Sequence, residues 1–269
     1  MPNWVCNRLR VSGPNANKIL KGLLTKSDAE GIRFDFNKIL PMPEDLKIIS
    51  GSTTDKCFEV YLSTLSEDEA KKEIENCVDS TLFPELTSGR YHIKSKEEID
   101  EIVDDAINNW SKNADPEDPV FKTKEDVIAY GKRVSDNIKN YGSKDWYDWC
   151  VKNWGTKWNA CNTIYSEDCP DEIMFDTAWS DVRNLILKLS EKYPELEIVY
   201  DYAEEQVGFY TGHCFYKNGC CSTNEEYGNY TKEAYEMHFD LWGEDDRFVF
   251  DEKTNNYKYI EDEDDEEMS

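Results

Sequence analysis

Long apolar runs are missing from this sequence of 269 residues. No segment approaches the roughly 18 consecutive apolar residues of a membrane-spanning helix. The N-terminal residues, Met1 to Arg8, also lack the basic start and apolar stretch of a secretory signal. We therefore expect a cytoplasmic protein that has no membrane partner.

Positive charge is scarce as well. Lys and Arg number 31 against 57 Asp and Glu, which gives a net charge of −26 at pH 7. Proteins that grip nucleic-acid phosphates concentrate positive charge where counterions must be displaced, so direct nucleic-acid binding is not expected. Aromatic residues are plentiful, with 8 Trp, 16 Tyr and 11 Phe. A disordered acidic chain lacks aromatics, so we expect a folded protein with a strongly anionic surface.

Residues that usually carry catalysis or hold metals are few or badly spaced. The chain has only 3 His, and none lies in a Ser-His-Asp or H-E-x-x-H pattern. The pair His213-Cys214 followed by Cys220-Cys221 comes nearest to a metal site, but adjacent cysteines chelate zinc poorly. The 9 cysteines are an odd number and fit reduced, buried thiols. We expect no catalytic residue, no metal and no cofactor.

The first part of the chain alternates polar and apolar residues. Residues 4–11 fit a half-buried strand. A helix capped by Asn15 follows, and residues 34–40 alternate as a second strand that Pro41 and Pro43 end.

From about residue 64 to 141 the apolar period changes to that of helices. Ser66 and Ser95 both begin capping-box patterns. The stripe behind Ser95 runs from Ile99 to Trp110, and a third helix is expected from Thr123. We interpret 64–141 as a helical insertion, with a linker at 114–119.

The C-terminal half returns to strands. A helix from Trp146 to Trp154 precedes strands at 156–165 and 172–179, a helix after Ser180 or Asp181, and strands at 196–203 and 207–216. A short helix over 232–242 and a hairpin pairing 248–250 with 257–259 come last. Seven consecutive acidic residues, 261–267, cannot pack and predict a disordered tail. These elements predict an α+β fold in which an antiparallel sheet carries helices on one face.

Four short motifs resemble one protein family in the same order. The opening Trp4–Leu9 with Gly13, the turn Ile39–Pro43, the run Trp149–Ala160 and the segment Thr177–Ser180 are similar to the signatures of the YubB-type proteins of bacterial plasmids and phages. The resemblance spans the first forty-five residues and roughly 143–215. It implies a ferredoxin-like domain and a bacterial host cell, and it implies no activity.

The resemblance suggests a division of the chain. Residues 1–63 and 142–218 would form the ferredoxin-like core, and 64–141 the helical insertion. Residues 219–260 would form a C-terminal extension, and 261–269 the disordered acidic tail. The insertion and the tail lie outside the resemblance.

Aromatic residues around 146–179 are the first candidate site. Tryptophans often line ligand pockets, because they combine an apolar ring with a polar group. The same tryptophans also fit a core between helix and sheet. The candidate ligand-binding residues are Asn7, Asn153, Trp154, Lys157, Trp158, Asn159 and Trp179.

The acidic face of the helix after Ser95 is the second candidate. Its apolar stripe faces the core, so its carboxylates lie on the solvent side. They fit a surface that only promotes solubility, and they also fit one that imitates nucleic-acid phosphates and enters a basic groove. The candidate residues are Glu97, Asp100, Glu101, Asp104 and Asp105.

Two functions follow from these candidates. The first is a binding protein, rather than an enzyme, that inhibits a host nucleic-acid-binding enzyme such as a restriction or CRISPR effector. The second is a small-ligand or nucleotide-binding protein, or an enzyme, that uses the aromatic region from Trp149 to Trp158.

Overall fold

The structure is a computed structural model that describes residues 1–27, 31–76, 94–110 and 120–260. Its contacts define two compact units. The sheet unit contains Met1–Pro41 and the described residues from Asn153 onward, and the helical unit contains Met42–Lys152. No helix in these ranges is long and apolar enough to cross a membrane. The predicted linker at 114–119 and the predicted tail at 261–269 lie outside the described residues.

The strands and helices are numbered in chain order. The strands are β1 (Trp4–Ser12), β2 (Leu24–Ser27), β3 (Gly31–Phe34), β4 (Cys161–Ser166), β5 (Cys169–Ala178), β6 (Glu197–Glu204), β7 (Thr211–Lys217), β8 (Cys220–Glu226), β9 (Phe248–Asp251) and β10 (Asn256–Tyr259). The α-helices are α1 (Ala16–Gly22), α2 (Ser52–Leu62), α3 (Glu67–Asn76), α4 (Lys96–Asp105), α5 (Lys124–Tyr141), α6 (Trp146–Trp154), α7 (Arg183–Lys192) and α8 (Lys232–Trp242). A π-helical turn, Ala106–Trp110, continues α4.

A six-stranded antiparallel sheet organises the sheet unit. Its strand order is β4-β5-β1-β6-β7-β8, and every neighbouring pair is antiparallel. Between α1 and β4 the chain forms β2, β3 and the helices α2–α6. When these are set aside, β1, α1, β4, β5, α7 and β6 occur in the β-α-β-β-α-β order of a ferredoxin-like fold. The predicted α+β, ferredoxin-like sheet is therefore confirmed, and β7 and β8 extend it at one edge.

Helices cover both faces of this sheet, whereas the sequence predicted helices on one face only, because α8 lies in the segment that was predicted to be a C-terminal extension. On one face, the Tyr200 hydroxyl accepts a hydrogen bond from the Val182 amide at the start of α7. On the other face, Leu241 of α8 packs against Cys6 and Ala203. Successive side chains of a strand point to opposite faces. The helix α7 thus belongs to the ferredoxin-like core, and α8 adds a second layer.

The helical unit is held by α5, which crosses α2 at a glycine. A Cβ atom on Gly131 would lie 2.0 Å from the carbonyl oxygen of Cys57 and 2.8 Å from the Cβ of Tyr61. Phe58 and Leu62 of α2 pack with Val134 of α5 on one side of this crossing. The packing thus assigns α2 to the helical unit, which begins at Met42. The sequence-based domain limits stay a prediction.

Local signals for helix ends are confirmed in three places. Ser66 and Glu69 exchange hydrogen bonds at the start of α3. Ser95 and Thr123 each complete a capping box, at α4 and α5 respectively. The helix α8 spans the residues predicted for it, and the hairpin pairs Tyr257 with Phe250 as predicted.

Other local predictions are wrong. Asn15 precedes α1 but lies in the left-handed region at φ 59° and forms no side-chain cap. The predicted strand over 34–40 is a 3-10 turn at Phe36–Lys38, because the Asp35 side chain accepts a hydrogen bond from the Asn37 amide. This turn buries Phe34 and Phe36 together. The helix α2 and the edge strand β8 were not predicted from the sequence.

The close crossing at Gly131 generates a stability prediction. We expect Gly131→Ala to lower the free energy of unfolding by about 1–3 kcal/mol, because the added methyl group forces two packed helices apart. Gly22→Ala is the control, since a Cβ there meets no heavy atom within 4 Å. Urea denaturation of both variants measures the difference, and equal losses would show that the crossing tolerates a side chain.

Candidate functional site

Asn7 lies in the centre of the sheet and is completely buried. Its side-chain amide donates to the carbonyl of Phe175 at 3.2 Å and to the hydroxyl of Thr177 at 2.9 Å. Its carbonyl accepts a hydrogen bond from the Tyr200 hydroxyl. The polar groups of Asn7 therefore tie β1 to β5 and β6.

Trp154 and Asn159 also face inward. The Trp154 indole donates to the carbonyl of Leu40 at 2.9 Å. The Asn159 side chain accepts from the Phe36 amide at 2.9 Å and donates to Asp35 at 2.8 Å. Burial raises the pKa of Asp35, but hydrogen bonds from Asn159 and its neighbours outweigh this and lower it. Trp154 and Asn159 thus hold the 3-10 turn at the sheet. Asn153, which precedes Trp154 in the chain, is half-buried.

Three of the predicted ligand-binding residues meet solvent at one end of the sheet. The Trp158 side chain is 38% exposed and that of Trp179 is 56% exposed. The ammonium group of Lys157 lies 3.7 Å from the ring centroid of Trp158. The Thr156 hydroxyl donates to the carbonyl of Ala178 at 2.8 Å, which brings the chain around Trp158 next to that around Trp179. We call Lys157, Trp158 and Trp179 the aromatic rim.

A cleft of about 380 Å³ lies beside Trp179 in the chain, between the loop before α7 and strands β7 and β8. Both carboxylate oxygens of Asp181, one of the lining residues, accept hydrogen bonds. One carboxylate oxygen accepts from the Arg183 amide at 2.8 Å, and the other accepts from the Tyr210 hydroxyl at 2.6 Å. The Arg183 guanidinium lies 5.1 Å from the ring centroid of Tyr202. Burial and the nearby Asp181 raise the pKa of Tyr210 to about 12, so its hydroxyl stays a donor.

Two aromatic residues near this cleft adopt an uncommon backbone conformation. Trp179 has φ 74° and Tyr210 has φ 45°. Bulky side chains seldom occupy the left-handed region, and such residues gather at functional sites. Trp179 was predicted from the sequence, whereas Arg183 and Tyr210 were missed. The motif Thr177–Ser180 is the local signal that points to this loop.

Three of the five acidic residues predicted on α4, Glu101, Asp104 and Asp105, line a second concave surface in the helical unit, and Glu97 and Asp100 do not. Glu101 and Asp104 are exposed and border an open groove of about 660 Å³. Glu97 and Asp100 are exposed on the same helix, and Lys124 pairs with Asp100 at 3.0 Å. Asp105 accepts from the Trp110 indole at 2.9 Å. The acidic residues of the groove, which we call the acidic groove, are Glu59, Glu98, Glu101, Asp104 and Asp105.

A buried carboxylate, Asp145, and a half-buried one, Asp148, were missed from the sequence. Asp145 caps α6 by accepting from the Asp148 amide at 3.0 Å. Burial, followed by the charge of Asp145, raises the pKa of Asp148 to about 7. Within the described residues, one oxygen of each carboxyl group is buried without a hydrogen-bond partner. Such a pair has a proton to exchange near neutral pH.

A protein-family model matches part of the sheet unit. Residues 153–245 match the family model described as a ferredoxin-like domain in Api92-like protein. A similar solved structure is that of a protein api92 from Yersinia pseudotuberculosis, at 12% sequence identity and a TM-score of 0.37, covering 85% of this chain and 99% of that chain. No curated protein matches the sequence. The match covers the residues of the cleft and names no activity.

The raised pKa of Asp148 predicts how stability changes with pH. A folded pKa of about 7 against an ordinary 3.8 means that folding favours the protonated carboxyl group. In acid the protonated group contributes on the order of 1–3 kcal/mol to the free energy of unfolding, and this contribution is lost as pH rises through about 7. We expect Asp148→Asn to remove this loss. Urea midpoints for both proteins across pH 5 to 8 test it, and parallel pH profiles would contradict the prediction.

Proposed function

We propose that this protein binds a basic surface of a protein partner through the acidic groove. The observation that carries the proposal is the convergence of five carboxylate side chains on one concavity of about 660 Å³. A concave acidic surface attracts and orients a basic segment, since like-charged walls focus the field inside a cleft.

The groove keeps negative charge that its lysines do not neutralise. Lys94 lies 3.5 Å from Glu59, and Lys56 lies 3.9 Å from Asp105. Glu101 and Asp104 have no ion-pair partner among the residues that the structure describes. Ile99 and Val103 of the same helix are buried. The buried stripe fixes the helix, so the two acidic side chains are presented to solvent without a compensating charge.

The partner class follows from charge and from the resemblance. A basic groove is typical of enzymes that handle nucleic acids, and the net charge of −26 repels nucleic acid itself. The YubB-type motifs favour a plasmid or phage protein acting in the bacterial cytoplasm. We therefore propose an inhibitor of a host restriction or CRISPR effector, which occupies the place of the nucleic acid.

A paired set of variants tests the acidic groove. We expect Glu101→Gln with Asp104→Asn to weaken partner capture from bacterial lysate about 5–10-fold, since two central charges are lost. Glu233→Gln with Glu236→Gln is the matched control, because these exposed residues have the same i, i+3 spacing on α8. Wild-type capture is expected to fall as salt rises to about 0.5 M. Equal capture by both variants, or capture that is independent of salt, overturns the proposal.

The cleft beside α7 supports a second candidate function, the binding of a small ligand such as a nucleotide. Its specific support is the exposed ring of Trp179 in the left-handed region, directly before the cleft residues Ser180 and Asp181. An exposed indole offers a stacking surface for a base. Arg183 and Asn224 supply polar groups in the same cleft.

Thermal shift assays with nucleoside mono-, di- and triphosphates test this second candidate. We expect a nucleotide to raise the melting temperature of the wild-type protein and Trp179→Ala to remove that rise, because the stacking surface is gone. The unliganded melting temperature should change little, since the ring is mostly exposed. A rise that survives in Trp179→Ala would place nucleotide binding elsewhere.

A further inference from the structure

A charged cluster on the sheet face opposite α7 is used by neither proposed function. Its centre is Asp201 of β6, whose side chain is 1% exposed. One carboxylate oxygen accepts from Arg8 at 2.9 Å and from Arg10 at 2.7 Å. The other oxygen pairs with Nδ1 of His213 at 2.6 Å. A buried carboxylate therefore joins two arginines and a histidine.

The strand register produces this cluster. Arg8 of β1 lies opposite Asp201, and His213 of β7 lies opposite Asp201 on its other side. Glu225 of β8 lies opposite His213. Directly opposite residues on antiparallel strands share a face, so these side chains form one row across four strands. Arg10 lies two residues beyond Arg8 and hence on the same face.

Asp201 fixes the hydrogen positions of the His213 ring. A carboxylate only accepts hydrogen bonds, so Nδ1 of His213 is the donor. In the neutral ring the lone pair is then on Nε2, which lies on the side of the ring away from Asp201. The His213 side chain is 30% exposed. This arrangement gives the protein a positioned hydrogen-bond acceptor at its surface.

Arg10 supplies donors next to that acceptor. Its side chain is 44% exposed, and a guanidinium has five N–H groups in a planar fork. Arg8 differs, because its side chain is 12% exposed and also pairs with Asp240 of α8. Arg10 and His213 each bond to the same carboxylate group, which keeps their polar ends close. Arg8 thus anchors the cluster, while Arg10 and His213 face outward.

We propose that Arg10 and His213 bind a protonated phosphate group, from inorganic phosphate or a phosphomonoester. Inorganic phosphate keeps at least one P–OH donor beside anionic oxygens at neutral pH, and a phosphomonoester has one in its monoanion, the form that predominates below its second pKa of about 6. The anionic oxygens accept from the Arg10 fork. The P–OH donates to Nε2 of His213. Glu225, exposed beside His213, repels a fully ionised anion.

This chemistry distinguishes phosphate from sulfate. Sulfate has the same shape but no hydrogen to donate at neutral pH. A sulfate ion would face two acceptors, the lone pair of His213 and the carboxylate of Glu225, and has no hydrogen atom to donate to either. We therefore expect phosphate to bind about 10-fold more tightly than sulfate at equal ionic strength.

Long-range ¹H–¹⁵N NMR of the histidine rings tests the site directly. The chain has 3 His, so His213→Asn identifies the His213 signals. We expect a spectrum of the Nδ1–H form, with an Nε2 signal that shifts on addition of inorganic phosphate and stays in place with sulfate. An Nε2–H form, equal shifts with both anions, or no shift with phosphate would overturn the proposal.

Charge variants and a second probe complete the experiment. Arg10→Gln should weaken phosphate binding about 10-fold, whereas Arg247→Gln, an exposed arginine paired with Asp245, should leave it unchanged. The signals of His238, a buried residue of α8, report whether each variant is folded. Equal phosphate binding by both variants overturns the role of Arg10. Glycerol 2-phosphate separates the two sources, since tighter binding than inorganic phosphate indicates a monoester.

Discussion

The pairing of β1 with β5 on one side and β6 on the other underlies the whole sheet unit. Asn7 hydrogen-bonds to groups of both neighbouring strands from one face of β1. The next residue, Arg8, reaches Asp201 of β6 from the opposite face. A shift of one residue in this register would exchange the two faces and leave an amide, a guanidinium and a carboxylate buried without partners. The polar residues of β1 thus specify a single register.

The same register determines where chemistry is available. On the face toward α7, the polar groups of β1 form their hydrogen bonds inside the core. On the other face, the row from Arg8 through Asp201 to His213 ends in side chains that reach solvent. The cleft beside α7 arises differently, from a loop in which Asp181 orders Arg183 and Tyr210. Two polar sites of one unit therefore have separate structural origins.

The acidic residues of the chain also lie in different environments. In α4, the buried stripe of Ile99 and Val103 leaves Glu101 and Asp104 on the solvent side. At the start of α6, Asp145 caps the helix, and burial raises the pKa of both Asp145 and Asp148. The net charge of −26 is the sum of such different environments. It predicts long-range attraction and repulsion and does not identify a site.

The features that depend on neighbours within a few residues could be predicted from the sequence alone. Capping at Ser66 and Ser95, the exact span of α8 and the acidic face of α4 follow from caps and periodicity of that range. It also carried the motifs that resemble a ferredoxin-like family. The tertiary structure was needed to show that Asn7 is buried and Asn159 half-buried while Trp158 and Trp179 reach solvent. It alone joined Arg8, Asp201 and His213, because strand register brings together residues that are far apart in the chain, and no local pattern encodes which strand lies beside which.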